Sequence, residues 1–323
     1  MRHNRLYRNG VLEQQDFECE RISDHLEEPD TVVWLDLETP TEEEIGLLAE
    51  EFGLSPLAVE DAMHEHQRPK VDHYDSHLFI SVYGVELAGD TGELSARELA
   101  VFAAERYLIT VRKTPGFDME AVTAAWDSNQ ALAKNGVSFL LHGLLDHVVD
   151  AHFSVVQDLD DCVEEIEDRL FDPKPQTSAV QRRSFEMRKS LVRLRRVALP
   201  MREVVNTLMR RDVGMVTSEM QPYYQDVYDH VLRVTEWTES LRDLVTTIQD
   251  SNLQIQSNRL NEVMKKLTAY AAIFAVPTAI TGFFGQNVPY PGFGNHAGFI
   301  AMVVLLAGAT VALITFFKVK DGL

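Results

Sequence analysis

Charge is missing from the end of this chain. From Leu267 to Phe317 there is no Asp, Glu, Lys or Arg, a run of about 50 residues in a protein where these four types make up 25% of the total. One helix needs about 20 apolar residues to cross a bilayer, so the run has room for two. Cysteine is nearly absent as well: Cys19 and Cys162 fit a reducing compartment and lack the spacing of a zinc site or a redox pair. No Gly-x-x-x-x-Gly-Lys-Ser/Thr loop, no His-Glu-x-x-His and no nucleophile elbow occurs, which argues against the enzyme classes those motifs serve. Met1-Arg2-His3-Asn4-Arg5 is basic but has no apolar stretch behind it, so no secretory leader is expected.

The uncharged run divides into Leu267 to Phe284 and Gly298 to Phe317, with Gly285 to Ala297, rich in Gly, Pro, Asn and Tyr, between them. Two membrane helices and a short loop are predicted. Lys265 and Lys266 precede the first span, Lys318 and Lys320 follow the second, and the loop carries neither Lys nor Arg. By the positive-inside tendency both termini are expected in the cytoplasm of a two-pass protein of the cell (inner, plasma) membrane. The remainder is strongly acidic, with 50 Asp and Glu against 30 Lys and Arg and a net charge of -20. That balance disfavours nucleic acid and favours cations as partners, although solubility alone also accounts for it.

Between Thr31 and Lys113 the apolar runs Val32 to Leu37, Leu78 to Val85, Leu99 to Ala103 and Tyr107 to Val111 read as strands. Thr41 with Glu44 makes a capping box for a helix through Glu51, and Ser55-Pro56 supplies an N-cap and first-turn proline for another. From Phe139 onward the periodicity is helical. Asp158 to Asp172 holds eight acids and one base, Asp172-Pro173-Lys174-Pro175 interrupts, and Arg182 to Arg196 holds seven bases and one acid. This is a helical hairpin whose charges are expected to pair along its length. After Pro222 no proline occurs until Pro277. One helix of some 60 residues is therefore expected, about 90 Å long at 1.5 Å per residue, most of it a stalk outside the bilayer. Pro277 is tolerable inside a span. The predicted division is 1–135 cytoplasmic α/β domain, 136–266 helical hairpin and stalk, and 267–323 two-helix transmembrane domain with an outer loop at 285–297.

Steps of three and four along the long helix pick out Asn261, Met264, Leu267, Ala271, Ala275, Thr278, Gly282 and Gly285, ending beside Asn287. Beyond Leu267 the stripe is small or polar. One reading is close helix packing; the other is a pore wall, which demands several copies around an axis. In that reading Met264 and Leu267 form an apolar constriction, and Asn261, Thr278 and Asn287 offer oxygens to a hydrated ion. The lack of a carboxylate suits magnesium, which gives up its water shell reluctantly.

The chain resembles the CorA family of divalent-cation transporters. The resemblance rests on Ser257-Asn258-Arg259-Leu260-Asn261-Glu262-Val263-Met264-Lys265, on Gly285-Gln286-Asn287, on Asp226-Val227-Tyr228-Asp229-His230 and on His66-Gln67-Arg68-Pro69-Lys70, in the family's order from about Trp34 to the end. It implies a homopentameric funnel, with an α/β cytoplasmic domain, a pore-lining stalk helix and an outer helix ending in basic residues. It implies uptake of Mg2+, with Co2+ and Ni2+ as further ions, and a selectivity filter at Gly285, Gln286 and Asn287. It also implies that regulatory magnesium is held between protomers by Glu60, Asp61 and Asp226. Three departures stand out: Gln286 replaces the usual methionine, Ala275 replaces a larger apolar residue, and the outer loop has no acid. Zn2+ is the alternative cargo, since His64, His66, His73 and His77 crowd one stretch with Glu65, Asp72 and Asp75. A membrane-anchored sensor that binds ions without conducting them is the alternative of another class.

Overall fold

The computed structural model describes residues 2–17, 22–65, 67–88, 92–170, 177–286 and 289–320. Two compact units divide it, Met1–Ile248 and Gln249–Leu323.

The first unit is built on a seven-stranded sheet in the order β2-β1-β3-β7-β6-β5-β4. The strands are β1 Arg2–Arg8, β2 Val11–Gln15, β3 Thr31–Glu38, β4 Lys70–His73, β5 Leu78–Leu87, β6 Leu94–Ala103 and β7 Tyr107–Arg112. The β3–β7 pair is parallel, and every other pair is antiparallel. Alternation along the central strands feeds two cores. Val33, Leu35 and Leu37 of β3 join Ala100 and Phe102 of β6 beneath α2 (Glu42–Phe52) and α3 (Pro56–Met63). Trp34, Leu99 and Val101 point the other way, against α4 (Met119–Ser128) and α5 (Val137–Leu170). With a helix α1 at Ile22–Glu27, the sheet is covered on both faces, which its nearly continuous apolar central strands require.

All four strands read from the sequence are present, and so is the Thr41–Glu44 capping box. Ser55 stands at the N-cap of α3 without a side-chain hydrogen bond, so the proline does more of the starting there. Strands β1, β2 and β4 lie at or next to the sheet edges and escaped the sequence reading. The hairpin β1–β2 turns at Asn9-Gly10, with φ of 49° and 77°, the left-handed pair that a two-residue hairpin needs. A Cβ on Gly10 would also sit 2.5 Å from the Lys134 nitrogen.

Helix α6 (Thr177–Met209) follows α5, and α7 runs unbroken from Gln221 to Phe284, through Pro277, as its spacing of prolines predicts. The Asp172-Pro173-Lys174-Pro175 break and Cys19 lie outside the described residues. Arg193 and Arg195 of α6 reach Glu93 on the strand side and Glu239 of α7, so charge pairing along the hairpin does not account for the basic run at these two positions.

A tyrosine tests the packing of the first unit. The Tyr107 ring meets Phe52 edge-on at 4.7 Å, and its buried hydroxyl has no partner among the described residues. Burial pushes its pKa up to about 12. Tyr107→Phe is expected to stabilise the fold by about 1 kcal/mol, because an unsatisfied buried hydroxyl is removed. The proton-bound form is the one the fold favours. Its stability is complete below the unfolded pKa near 10 and fades as pH rises through about 12. Thermal melts at neutral pH and in alkali should show the gain and a smaller alkaline loss in the variant.

Candidate functional site

The second unit holds the last turns of α7 together with α8 (His296–Val319). Ala269 is 0% exposed, and Ile273, Val276 and Ile280 are half-buried beside it on one face. Met264 and Leu267 are 57% and 58% exposed, and Ala271, Ala275, Thr278 and Gly282 are also exposed. At about 100° per residue, the stripe beyond Leu267 falls opposite that half-buried face. The small residues thus lie on the open side of the helix. Nearer the first residues of the stripe, Asn261 and Met264 border a cleft of about 820 Å3 whose other wall is Phe316, Phe317 and Lys320.

Threonine hydroxyls on this stretch turn inward. Thr278 donates to the Phe274 carbonyl at 2.7 Å and Thr281 to the Pro277 carbonyl at 3.0 Å. The Thr278 oxygen therefore keeps lone pairs for a water of a hydrated ion and has no proton to repel it. Past Phe284, the Gly285 N–H donates to Thr281 at 2.8 Å, and Gln286 is exposed at the helix end. Asn287 lies outside the described residues. Tyr290 stacks edge-on with Phe284 at 5.1 Å and with Phe293 at 5.3 Å, pinning the loop to the helix end. Gly298 is required where the loop meets α8, since a Cβ there would lie 2.2 Å from the Gly292 carbonyl.

The predicted regulatory acids occupy two places in the first unit. Glu60 and Asp61 of α3 line a concavity of about 460 Å3 with Asp72 and His73. A cation already sits there: Lys70 Nζ lies 2.6 Å from both Asp61 Oδ2 and Asp72 Oδ2. Asp226 is on α7, exposed, and does not line that concavity. It stands one turn before His230, whose ring converges with Asp146 and Asp150 of α5 so that their donor atoms lie within 4.8 Å of one another. Burial first, and then the neighbouring Asp150, pushes the Asp146 carboxyl up to about 6. Asp226 adds to the same negative field. Two carboxylates and an imidazole, with a third acid beside them, fit a divalent cation, which would relieve that repulsion.

The sequence reading missed Asp146 and Asp150. Their i, i+4 spacing puts both on one face of α5, as Asp226 and His230 share one face of α7, but nothing in the sequence says that the two faces meet. Among the described residues the histidine stretch does not assemble as a zinc set. His77 is buried between Tyr74 and Phe102, where burial lowers its pKa, and His64 Nδ1 lies 2.9 Å from the Glu60 carbonyl. His66 lies outside the described residues.

Residues 29–320 match the family described as CorA-like Mg2+ transporter protein. The chain is 30% identical over 278 residues to the cobalt/magnesium transport protein CorA of Thermotoga maritima, covering 85% of this chain and 79% of that one. It is 24% identical over 283 residues to the zinc transport protein ZntB of Cronobacter sakazakii, covering 86% and 85%. The complete structure of the CorA magnesium transporter from Methanocaldococcus jannaschii superposes with a TM-score of 0.78 at 23% identity, over 98% of this chain and 97% of that one. Fold and family match together define a membrane-embedded transporter of divalent cations, not an enzyme. The chain belongs to the CorA family.

Proposed function

We propose that this protein mediates passive, voltage-driven uptake of magnesium through a homopentameric pore, and that cytoplasmic magnesium closes it. The observation that supports this best is the uncharged, small and polar stripe of α7, exposed in the single chain. Copies arranged around an axis would turn those stripes toward one another, with Met264 and Leu267 as the apolar constriction and Gly285, Gln286 and Asn287 at the outer mouth. In this reading the polypeptide crosses the plasma membrane twice with both termini in the cytoplasm, and residues 1–135, 136–266 and 267–323 serve as sensor, hairpin and stalk, and pore. A neutral stripe selects for a cation that keeps its waters, which favours magnesium. Zinc is the second reading, favoured by the imidazole of His230 among the donors of the α5–α7 cluster.

Uptake of magnesium, zinc, cobalt and nickel into dye-loaded proteoliposomes tests both readings. Magnesium influx that Asn287→Ala reduces by at least ten-fold is expected. Zinc influx without magnesium favours the second reading, and no flux of any ion from well-folded oligomers leaves a sensor.

Closure would follow from cations held by Asp61, Asp226 and the α5–α7 cluster, which stabilise the state that binds them. Lys70 competes for Asp61. A pair of unit charges 2.6 Å apart is worth about 6 kcal/mol at an effective dielectric constant near 20, and part of that opposes any divalent ion in the concavity. Lys70→Gln is therefore expected to tighten magnesium binding by roughly ten-fold in calorimetric titrations, equivalent to about 1.4 kcal/mol. Unchanged affinity would remove Asp61 from the regulatory set.

A further inference from the structure

The basic run of α6 takes no part in the cation sites, yet three of its arginines line a cavity of about 1050 Å3 between α6, the β5–β6 strands and the segment after α3. Five basic side chains face it. Three are matched: Lys113 with Glu98 at 2.6 Å, Arg193 with Glu93 at 3.1 Å, and Arg195 with Glu239. The other two, Arg68 and Arg196, are exposed and have no hydrogen bond or ion pair among the described residues. Glu65, at the rim, is the one further acid of the lining.

Beside these guanidinium groups part of the wall is apolar. Leu94, Val197 and Leu199 form it together with the face of Tyr83. The Tyr83 hydroxyl donates to the Gln67 carbonyl, so the residue offers the cavity a ring. Burial, with Glu98 and Glu65 nearby, holds that hydroxyl protonated across the physiological range. Paired guanidinium forks recognise phosphate oxygens, and an aromatic face beside aliphatic side chains suits a planar ring. The volume is in the range of small-molecule sites and far exceeds what a lone inorganic anion fills. Neither a free phosphate nor a wholly apolar ligand satisfies both halves.

We propose that this cavity binds a nucleoside polyphosphate, its phosphates on Arg68 and Arg196 and its base against Tyr83 and Val197. The proposal is one of binding, and it is independent of the cation reading. The test is calorimetry on the full chain in detergent with excess EDTA, so that chelation of divalent ions plays no part. ATP is expected to bind saturably, adenosine and inorganic tripolyphosphate each more weakly, and Arg68→Ala/Arg196→Ala to lose at least ten-fold in ATP affinity with an unchanged melting curve. Photolabelling of the wild type with 8-azido-ATP, which needs no variant to fold, is expected to mark the peptide holding Tyr83. Absence of saturable ATP binding, tripolyphosphate binding as tightly as ATP, full affinity in the double variant, or label confined to other peptides would each overturn the proposal.

Discussion

Replacing Ala275 with Phe is expected to abolish magnesium uptake, a fall of at least roughly a hundred-fold, while the protein still reaches the membrane in normal amounts. The side chain lies on the stripe of α7 and is exposed in the single chain. Added bulk there meets nothing within the protomer, so it should not unfold the helix pair. In a ring of copies, every protomer would contribute one such ring to the same level of the path, where even an apolar narrowing stops a hydrated ion by dewetting. Val304→Phe provides the comparison. Val304 is 65% exposed on α8, on a surface that the proposed arrangement turns toward lipid, and transport should stay near wild type. Equal transport by both variants would place the path elsewhere than along this stripe.

Asp36→Ala is expected to be the most damaging single change to the sheet. Asp36 is 0% exposed. It accepts hydrogen bonds from Thr110 at 2.7 Å and from two nitrogens of Arg112, at 3.0 and 2.6 Å, across the parallel β3–β7 pair. Arg112 also donates to Glu38 at 2.9 Å. Removing the carboxylate leaves a nearly buried guanidinium with one remaining partner, and breaking such a pair from one side costs about 3 kcal/mol or more. A fold of this size should melt roughly 6–12 °C lower. Asp36→Leu/Arg112→Met removes both charges and is expected to recover most of that loss. A double variant as unstable as the single would show that packing, not the stranded charge, dominates.

How much of this was legible in the sequence depended on whether a signal was local. Thr41 and Glu44 announce their helix because a capping box is complete within four residues. Continuous apolar runs announced β3, β5, β6 and β7 because their strands are buried on both faces. Strand β1, written Arg-His-Asn-Arg-Leu-Tyr-Arg, shows no run, since one of its neighbours is the short edge strand β2 and only Leu6 and Tyr7 reach the cores. The Asn9-Gly10 turn was a usable signal for that hairpin. The basic run of α6 looked like the complement of the acids of α5, because sequence proximity suggests hairpin pairing. Glu93 and Glu239 take Arg193 and Arg195 instead, through contacts about 100 and 44 residues apart. The α5–α7 cluster was hidden for the same reason: Asp146 and Asp150 look like ordinary solvated acids until α7 brings His230 beside them. The stripe of α7 could be read locally, being one face of one helix, and its exposure from Met264 to Gly282 is what the structure adds.

Magnesium flux under an imposed membrane potential tests the central claim most directly. Moving a divalent ion inward through about 100 mV releases roughly 4.6 kcal/mol, twice the single-charge value, so no nucleotide hydrolysis is required. Wild-type protein in ATP-free liposomes, with potassium diffusion potentials of either sign, is expected to pass magnesium inward when the interior is negative and to slow sharply when the potential is reversed. Magnesium flux that ignores the potential, or that appears only when a second ion gradient or ATP is supplied, would contradict passive, voltage-driven uptake.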